Sequence, residues 1–186
     1  KAQIDLAASG TDFWVAAGTY YPGVSGATGA SFVLKNGVAL YGGFAGGETF
    51  FSSRNPDANV TILSGDLDQS NSATGNDAHQ VVTSSGNNNT AIIDGFTVTM
   101  GNCNLGISSG GGGMYISNGN PVINQCRIIN NISSDFACGI NCLTNGSPTI
   151  TRCYFSGNNA GFAGGAIRCD VNSNQYISNC LFVGNN

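Results

Sequence analysis

The sequence predicts an all-β fold, a parallel β-helix solenoid in which short strands stack turn on turn, and three observations carry that expectation. The first is a repeat. Ile123-Asn124-Gln125-Cys126-Arg127-Ile128, Ile150-Thr151-Arg152-Cys153-Tyr154-Phe155 and Ile177-Ser178-Asn179-Cys180-Leu181-Phe182 share one pattern at a spacing of 27 residues. Ile93-Asp94-Gly95-Phe96-Thr97-Val98 fits the same frame 30 residues earlier, with Phe96 in the cysteine position. The second is composition: 28 of 186 residues are glycine and only 9% are charged, too few charges for the solvated faces of amphipathic helices. The third is turn chemistry. Asn118-Gly119-Asn120-Pro121, Asn145-Gly146-Ser147-Pro148 and the glycines at 110–113 separate apolar segments only three to five residues long.

A period near 27 also suits leucine-rich, ankyrin or tetratricopeptide repeats, but those need a leucine ladder or helix-forming runs, and neither is present. In residues 91–186 a second register runs beside the first, as Gly113-Met114-Tyr115-Ile116, Gly139-Ile140-Asn141-Cys142 and Ala166-Ile167-Arg168-Cys169. Each repeat therefore holds at least two strands. Residues 1–90 are irregular, yet Asp12-Phe13-Trp14-Val15, Gly37-Val38-Ala39-Leu40-Tyr41, Val60-Thr61-Ile62-Leu63 and Gln80-Val81-Val82-Thr83 are β-branched or aromatic runs bounded by turn residues. The Gly/Ser/Asn-rich stretches 21–30 and 69–76 read as loops bulging from the coil, where binding surfaces usually sit. Dividing the length by the period gives about seven coils of roughly 27–30 residues in one domain, 1–186, expected to be a fragment of a longer protein.

Phe155-Ser156-Gly157-Asn158 and Phe182-Val183-Gly184-Asn185 match F-x-x-N, and Gly164-Gly165-Ala166-Ile167 matches G-G-A-[ILV]. Recurring in one frame, these tetrapeptides resemble the repeats of polymorphic outer-membrane proteins, which are surface-displayed adhesins. The front half resembles the wider group of pectin-lyase-like right-handed β-helix proteins. Its matching segments are Asp12 to Tyr20, Arg54-Asn55-Pro56, Ile62-Leu63-Ser64-Gly65-Asp66 and Ile93-Asp94-Gly95-Phe96, with residues before 10 as a remnant of an amino-terminal capping helix. The resemblance implies a right-handed coil and export, and it implies no single activity, since lyases, hydrolases, adhesins and filaments share the fold.

Composition narrows the partners. A net charge of −4 and a pI near 4.5 leave no basic footprint for nucleic acid, and 41% hydrophobic residues exclude a disordered chain. No run reaches the roughly 18 apolar residues of a spanning helix.

Catalytic residues are expected to be absent. Lyases of the resembled group use an arginine base beside calcium-holding carboxylates, and its hydrolases use clustered aspartates. Here Arg127 and Arg152 are read as one outward-facing column beside the cysteines, Arg54 and Arg168 stand apart, and His79 is alone before a strand. No resident cofactor or metal is expected. Calcium is the one alternative, at the local acid cluster Asp66, Asp68 and Asp77, where turn capping is the favoured role.

Stacked Cys126, Cys153 and Cys180, and Cys142 with Cys169, are expected to be buried thiols, which leaves Cys103 and Cys138 as the better candidates for a bridge. The aromatics crowding the first 51 residues are expected to fill the wider first coils and the cap. Tyr20-Tyr21-Pro22 and Phe50-Phe51 are the residual candidates for stacking on a sugar.

The function expected from all this is a non-catalytic structural or adhesive β-helix of a secreted or cell-surface bacterial protein that displays binding loops. The alternatives are the amino-terminal part of a polysaccharide lyase or hydrolase, and a glycan-binding module. Surface glycans or other proteins are the expected partners, with end-to-end self-association through open strand edges.

Overall fold

The computed structural model describes residues 2–73, 75–105 and 110–186. After a short helix, α1 (Ala2–Leu6), the chain winds through strands that pair only in parallel with the turn before and the turn after. Turn one holds β1 (Thr11–Ala16), β2 (Gly18–Tyr20) and β3 (Phe32–Val33), and turn two holds β4 (Val38–Phe44), β5 (Thr61–Ser64) and β6 (Val82–Ser85). Turn three adds a fourth side with β7 (Ile92–Asp94), β8 (Phe96–Thr99), β9 (Asn102–Cys103) and β10 (Met114–Ser117). Turn four repeats it with β11 (Val122–Asn124), β12 (Arg127–Ile129), β13 (Ile132–Ser133) and β14 (Ile140–Leu143). Turn five has β15 (Thr149–Thr151), β16 (Tyr154–Ser156), β17 (Asn159–Ala160) and β18 (Ile167–Cys169), and turn six has β19 (Tyr176–Ser178) and β20 (Leu181–Val183).

The result is a parallel β-solenoid of four sheets, with six strands on the first two sides, three on the third and five on the fourth. The count is six turns among the described residues rather than about seven. Val122 pairs with Thr149, and Thr149 with Tyr176, at 27 residues each, but Ala39 of turn two pairs with Ile92, 53 residues on. Loops 45–60 and 65–81 take up that excess.

Backbone conformation explains the Gly and Asn corners. At the corners of turns three to six the chain passes through the left-handed region in columns: Gly95, Gln125, Arg152 and Asn179 at the first corner, and Met100, Asn130, Gly157 and Gly184 at the second. Gly111, Ala137 and Gly164 form the third, and Gly86, Asn118, Asn145 and Asn172 the fourth. Glycine and asparagine meet that demand at least cost. Close stacking adds a second demand at the third corner. A Cβ on Gly113 would lie 2.6 Å from the Gly139 carbonyl oxygen, and one on Gly139 would collide with that of Ala166.

Alternate residues of each strand point inward and stack on their counterparts. Ile93, Ile123 and Ile150 form one buried ladder, Val98, Ile128 and Phe155 a second, and Phe96, Cys126 and Cys153 a third. Phe155 continues onto Phe182 with ring centroids 4.8 Å apart and planes within 10°. Near α1, Ile4 and Ala7 pack against this core, Lys35 Nζ donates to the Asp5 and Ala7 carbonyls, and an apolar cavity of about 280 Å³ remains between Ile4, Phe13, Val15, Phe32, Leu40 and Leu63. Among the described residues no helix is long and apolar enough to cross a membrane.

The asparagine of F-x-x-N has a structural role. Asn131, Asn158 and Asn185 lie one above another, and the first two are fully buried. Asn158 Oδ1 accepts from Asn131 N and Nδ2 at 3.2 and 2.9 Å, while its Nδ2 donates to the Ile128 carbonyl and to Asn185 Oδ1, both at 2.8 Å. Asn158→Ala strands several of these buried groups, so urea denaturation is expected to show a loss of about 3 kcal/mol. Asn158→Asp, which lacks the donor, should not recover it.

Candidate functional site

The irregular turns one and two carry the loops, and each loop is held by specific residues. Loop 45–60 folds back over the outer face of the first sheet. Trp14 and Tyr41 face outward there because Phe13, Val15 and Leu40 take the inward positions. Trp14 stacks on Phe44 with centroids 4.9 Å apart, and Phe51 meets Trp14, Tyr41 and Phe44 edge to face. These aromatics therefore form a cluster outside the coil instead of filling its interior, since the lumen at this level belongs to Phe13, Phe32, Leu40 and Phe96. Trp14, Phe50 and Phe51 keep 41%, 71% and 44% of their surface exposed, enough for a flat ligand to stack on.

Arg54 pins this loop down. Its Nε donates to the Gly42 carbonyl, its Nη2 pairs with Asp94 Oδ1, and its guanidinium carbon lies 5.6 Å from the ring centres of both Tyr41 and Phe51. Asp94 Oδ2 accepts from Asn124 Nδ2 at 2.6 Å, and Asn124 Oδ1 accepts from Thr151 Oγ1 at 2.8 Å. Asn55 caps its own turn through the N–H groups of Asp57 and Ala58. The segments Arg54-Asn55-Pro56 and Ile93-Asp94-Gly95-Phe96 are thus two halves of one lock. The Tyr41 phenol is pushed above its usual range by burial and by Asp12 and Asp94, with Arg54 opposing. Both ends of the ion pair are nearly buried, with side-chain exposure of 9% and 12%. Arg54→Met leaves Asp94 without its cation, and an unfolding free energy lower by about 3 kcal/mol is expected. Adding Asp94→Asn to that variant should restore part of the loss.

The second group of loops lies on the other side of the same two turns. Loops 21–30 and 69–76 are joined, Gly26 N donating to the Asn76 carbonyl at 3.3 Å and His79 N to that of Thr28 at 2.8 Å. At their base is a groove of about 200 Å³ lined by Thr19, Tyr21, Ile62, Asp66, Asn71 and Thr99. Asp66 lines this groove and stands with Asp68 and Asp77, each offering an oxygen within 4.8 Å of the others, and Asp66 and Asp77 are buried. An all-carboxylate set suits a hard cation such as calcium. The observed use is capping: Asp66 Oδ1 accepts from Ser70 N and Oδ2 from Asn71 N, both at 2.9 Å, and Asp68 Oδ1 accepts from Ser70 N at 3.1 Å.

The other residues singled out from the sequence do not converge on that groove. His79 Nδ1 lies 3.3 Å from the Asn102 carbonyl. Arg127 and Arg152 are not one column: Arg127 follows its cysteine and pairs with Tyr154, while Arg152 precedes its cysteine at a left-handed corner. The 27-residue spacing of the cysteines makes them look equivalent, but the pair differs from that spacing by two. Arg127 makes an exposed ion pair with Asp57 at 3.3 Å, and Arg168 pairs with Asp170 at 3.2 Å and lies 4.5 Å above the Phe136 ring.

No bridge joins Cys103 to Cys138, and all seven cysteines are thiols. Cys138 Sγ lies 2.7 and 3.0 Å from the Asn131 and Asn159 carbonyl oxygens, and burial pushes its pKa up to about 12. Sequence reasoning missed the Arg54–Asp94 lock, although the glycines at 42, 43 and 95 were its signal: a Cβ on Gly42 would lie 2.6 Å from the Gly95 carbonyl oxygen, and one on Gly43 would lie 2.7 Å from Pro56. Compared with known protein families, curated proteins and solved structures, the chain has no match.

Proposed function

We propose that this solenoid is a non-catalytic display rod, a right-handed pectin-lyase-like β-helix of a secreted or cell-surface bacterial protein with a structural or adhesive role. The observation that carries the reading is the pair of mutually bonded loops, 21–30 and 69–76, held on turns one and two of a coil whose other turns are internally stacked. Rigid elements that present loops are a recurrent way to build binding surfaces. On this reading α1 is a remnant of the cap at the amino-terminal end of the lumen. No resident cofactor is required, because Asp66 already accepts from Ser70 and Asn71 through both of its oxygens. The partners are surface glycans or other proteins.

One observation favours a second reading, a glycan-binding module. The partly exposed Trp14 and Phe51, packed edge to face with Arg54 over the Phe51 ring, offer an apolar surface against which sugar rings can pack.

The test is binding to a panel of cell-surface proteins and polysaccharides, with and without calcium, by the 186-residue chain and by variants. Replacing 22–29 with a short Gly/Ser linker is expected to abolish binding while leaving the far-ultraviolet spectrum unchanged. Trp14→Ala is expected to abolish it if sugar stacking is the mode. Release of unsaturated or reducing sugar ends from any polysaccharide would overturn the non-catalytic reading. Sedimentation of the same chain checks end-to-end association, which is expected from the exposed Tyr176, Leu181, Phe182 and Val183 and fails if the chain stays monomeric at high concentration.

A further inference from the structure

The chain has four arginines, and two of them have their charge answered by a carboxylate close at hand. Arg54 pairs with Asp94 and Arg168 with Asp170. Arg127 and Arg152 differ. The Arg127–Asp57 pair at 3.3 Å leaves its side chains 57% and 79% exposed, and an ion pair so open to water is weak enough to be exchanged for another anion. Among the described residues Arg152 is the one arginine with no carboxylate partner.

These two arginines belong to different columns but line one hollow. Arg127 of β12 pairs in register with Tyr154 of β16, and both face outward because Ile128 and Phe155 beside them are the buried members of the ladder. Arg152 stands at the corner that precedes β16, in the left-handed column of Gln125, Arg152 and Asn179. The hollow between the columns has a volume of about 400 Å³ and is lined by Arg127, Arg152, Tyr154 and Asn179, with Cys153 and Leu181 completing it. Small-ligand pockets run from about 300 to 1,000 Å³, so the space suits a molecule rather than a water. The corner does not explain the arginine. At a φ of 54° residue 152 adopts a conformation that asparagine takes at less cost, as Asn179 does one turn on.

We propose that Arg127, Arg152 and the Tyr154 hydroxyl form a binding site for a sulfate or phosphate group. A carboxylate has two oxygens, and one bidentate guanidinium engages both; two guanidiniums and a phenol O–H call for a group with three or four. Arginine is the residue for this task, since its planar fork donates in parallel pairs and keeps its charge at any working pH. On binding, Arg127 exchanges Asp57 for the ligand and the carboxylate returns to water. The hollow is larger than a bare tetrahedral ion, which leaves room for a sugar that carries the group as an ester. The site uses outward positions, which the stacking of the coil does not dictate. It lies on turns four to six, away from loops 21–30 and 69–76, and is independent of the display reading.

The test is a titration of the folded chain, followed through the arginine side-chain N–H resonances, with sodium sulfate, sodium phosphate, glucose 6-sulfate, glucose 6-phosphate and glucuronate at matched ionic strength. Saturable shifts confined to Arg127 and Arg152 are expected with the sulfate and phosphate probes, and weaker ones with glucuronate. Tighter binding of the sugar esters than of the free ions supports the site with an ester as its ligand, and equal binding supports it with the free ion. Arg152→Asn is expected to weaken binding by about tenfold, the effect of one lost charge-assisted hydrogen bond, and Arg127→Gln by a similar factor. The denaturation midpoint of Arg152→Asn should be unchanged or raised, because asparagine suits the corner; a lowered midpoint would make the arginine structural and overturn the assignment. Shifts that sodium chloride reproduces, an Arg152→Asn variant that binds as well as the parent chain, or glucuronate bound as tightly as the esters would overturn it too.

Discussion

The fold depends on in-register stacking of one turn on the next. Parallel pairing places every residue about 4.8 Å from its counterpart in the turn above and below, so a column of like residues interacts with itself. Charged columns would repel, and apolar, thiol and amide columns do not. This is why Ile, Phe and Cys form the interior ladders and why charged residues are so scarce. Asn131, Asn158 and Asn185 are the polar case, since an amide carries both donor and acceptor and can bond its own kind indefinitely.

One buried ion pair of the coil spans two turns. Arg54 crosses from turn two to Asp94 of turn three, and Asn124 and Thr151 carry the hydrogen-bonded path on through turns four and five. The lock uses the outer face of the first sheet, which a β-helix otherwise leaves to solvent, and it converts a sixteen-residue insertion, 45–60, into a second layer of packing. Trp14, Tyr41 and Phe44 of the sheet and Phe51 of the loop form the aromatic cluster where that layer meets the coil.

The long loops and the regular coil occupy different parts of the molecule. Turns three to five repeat nearly residue for residue and leave little room for variation, because each side chain is constrained by two neighbours. Turns one and two depart from the period, and the departures are the loops, the groove at Asp66 and the exposed aromatics. A regular coil supplies rigidity, and the insertions supply surface that the repeat does not dictate.

The sequence by itself determined the parallel β-coil, the two repeating strand registers of residues 91–186, the Cys126–Cys153–Cys180 and Ile128–Phe155–Phe182 columns, and the turn role of Gly and Asn, but not the short third side of β9, β13 and β17. A 27-residue period acts locally and leaves its mark at each copy. It did not determine the number of turns, because the 53-residue second turn follows from which strands pair and not from spacing. Nor did it show that Arg127 and Arg152 stand on opposite sides of the cysteine column, that Cys138 faces carbonyls, or that Arg54 meets Asp94. Those contacts join residues tens of positions apart through a three-dimensional register. Only the tertiary structure decided them, since side-chain partners across turns depend on how the coils stack and on where the inserted loops fold back.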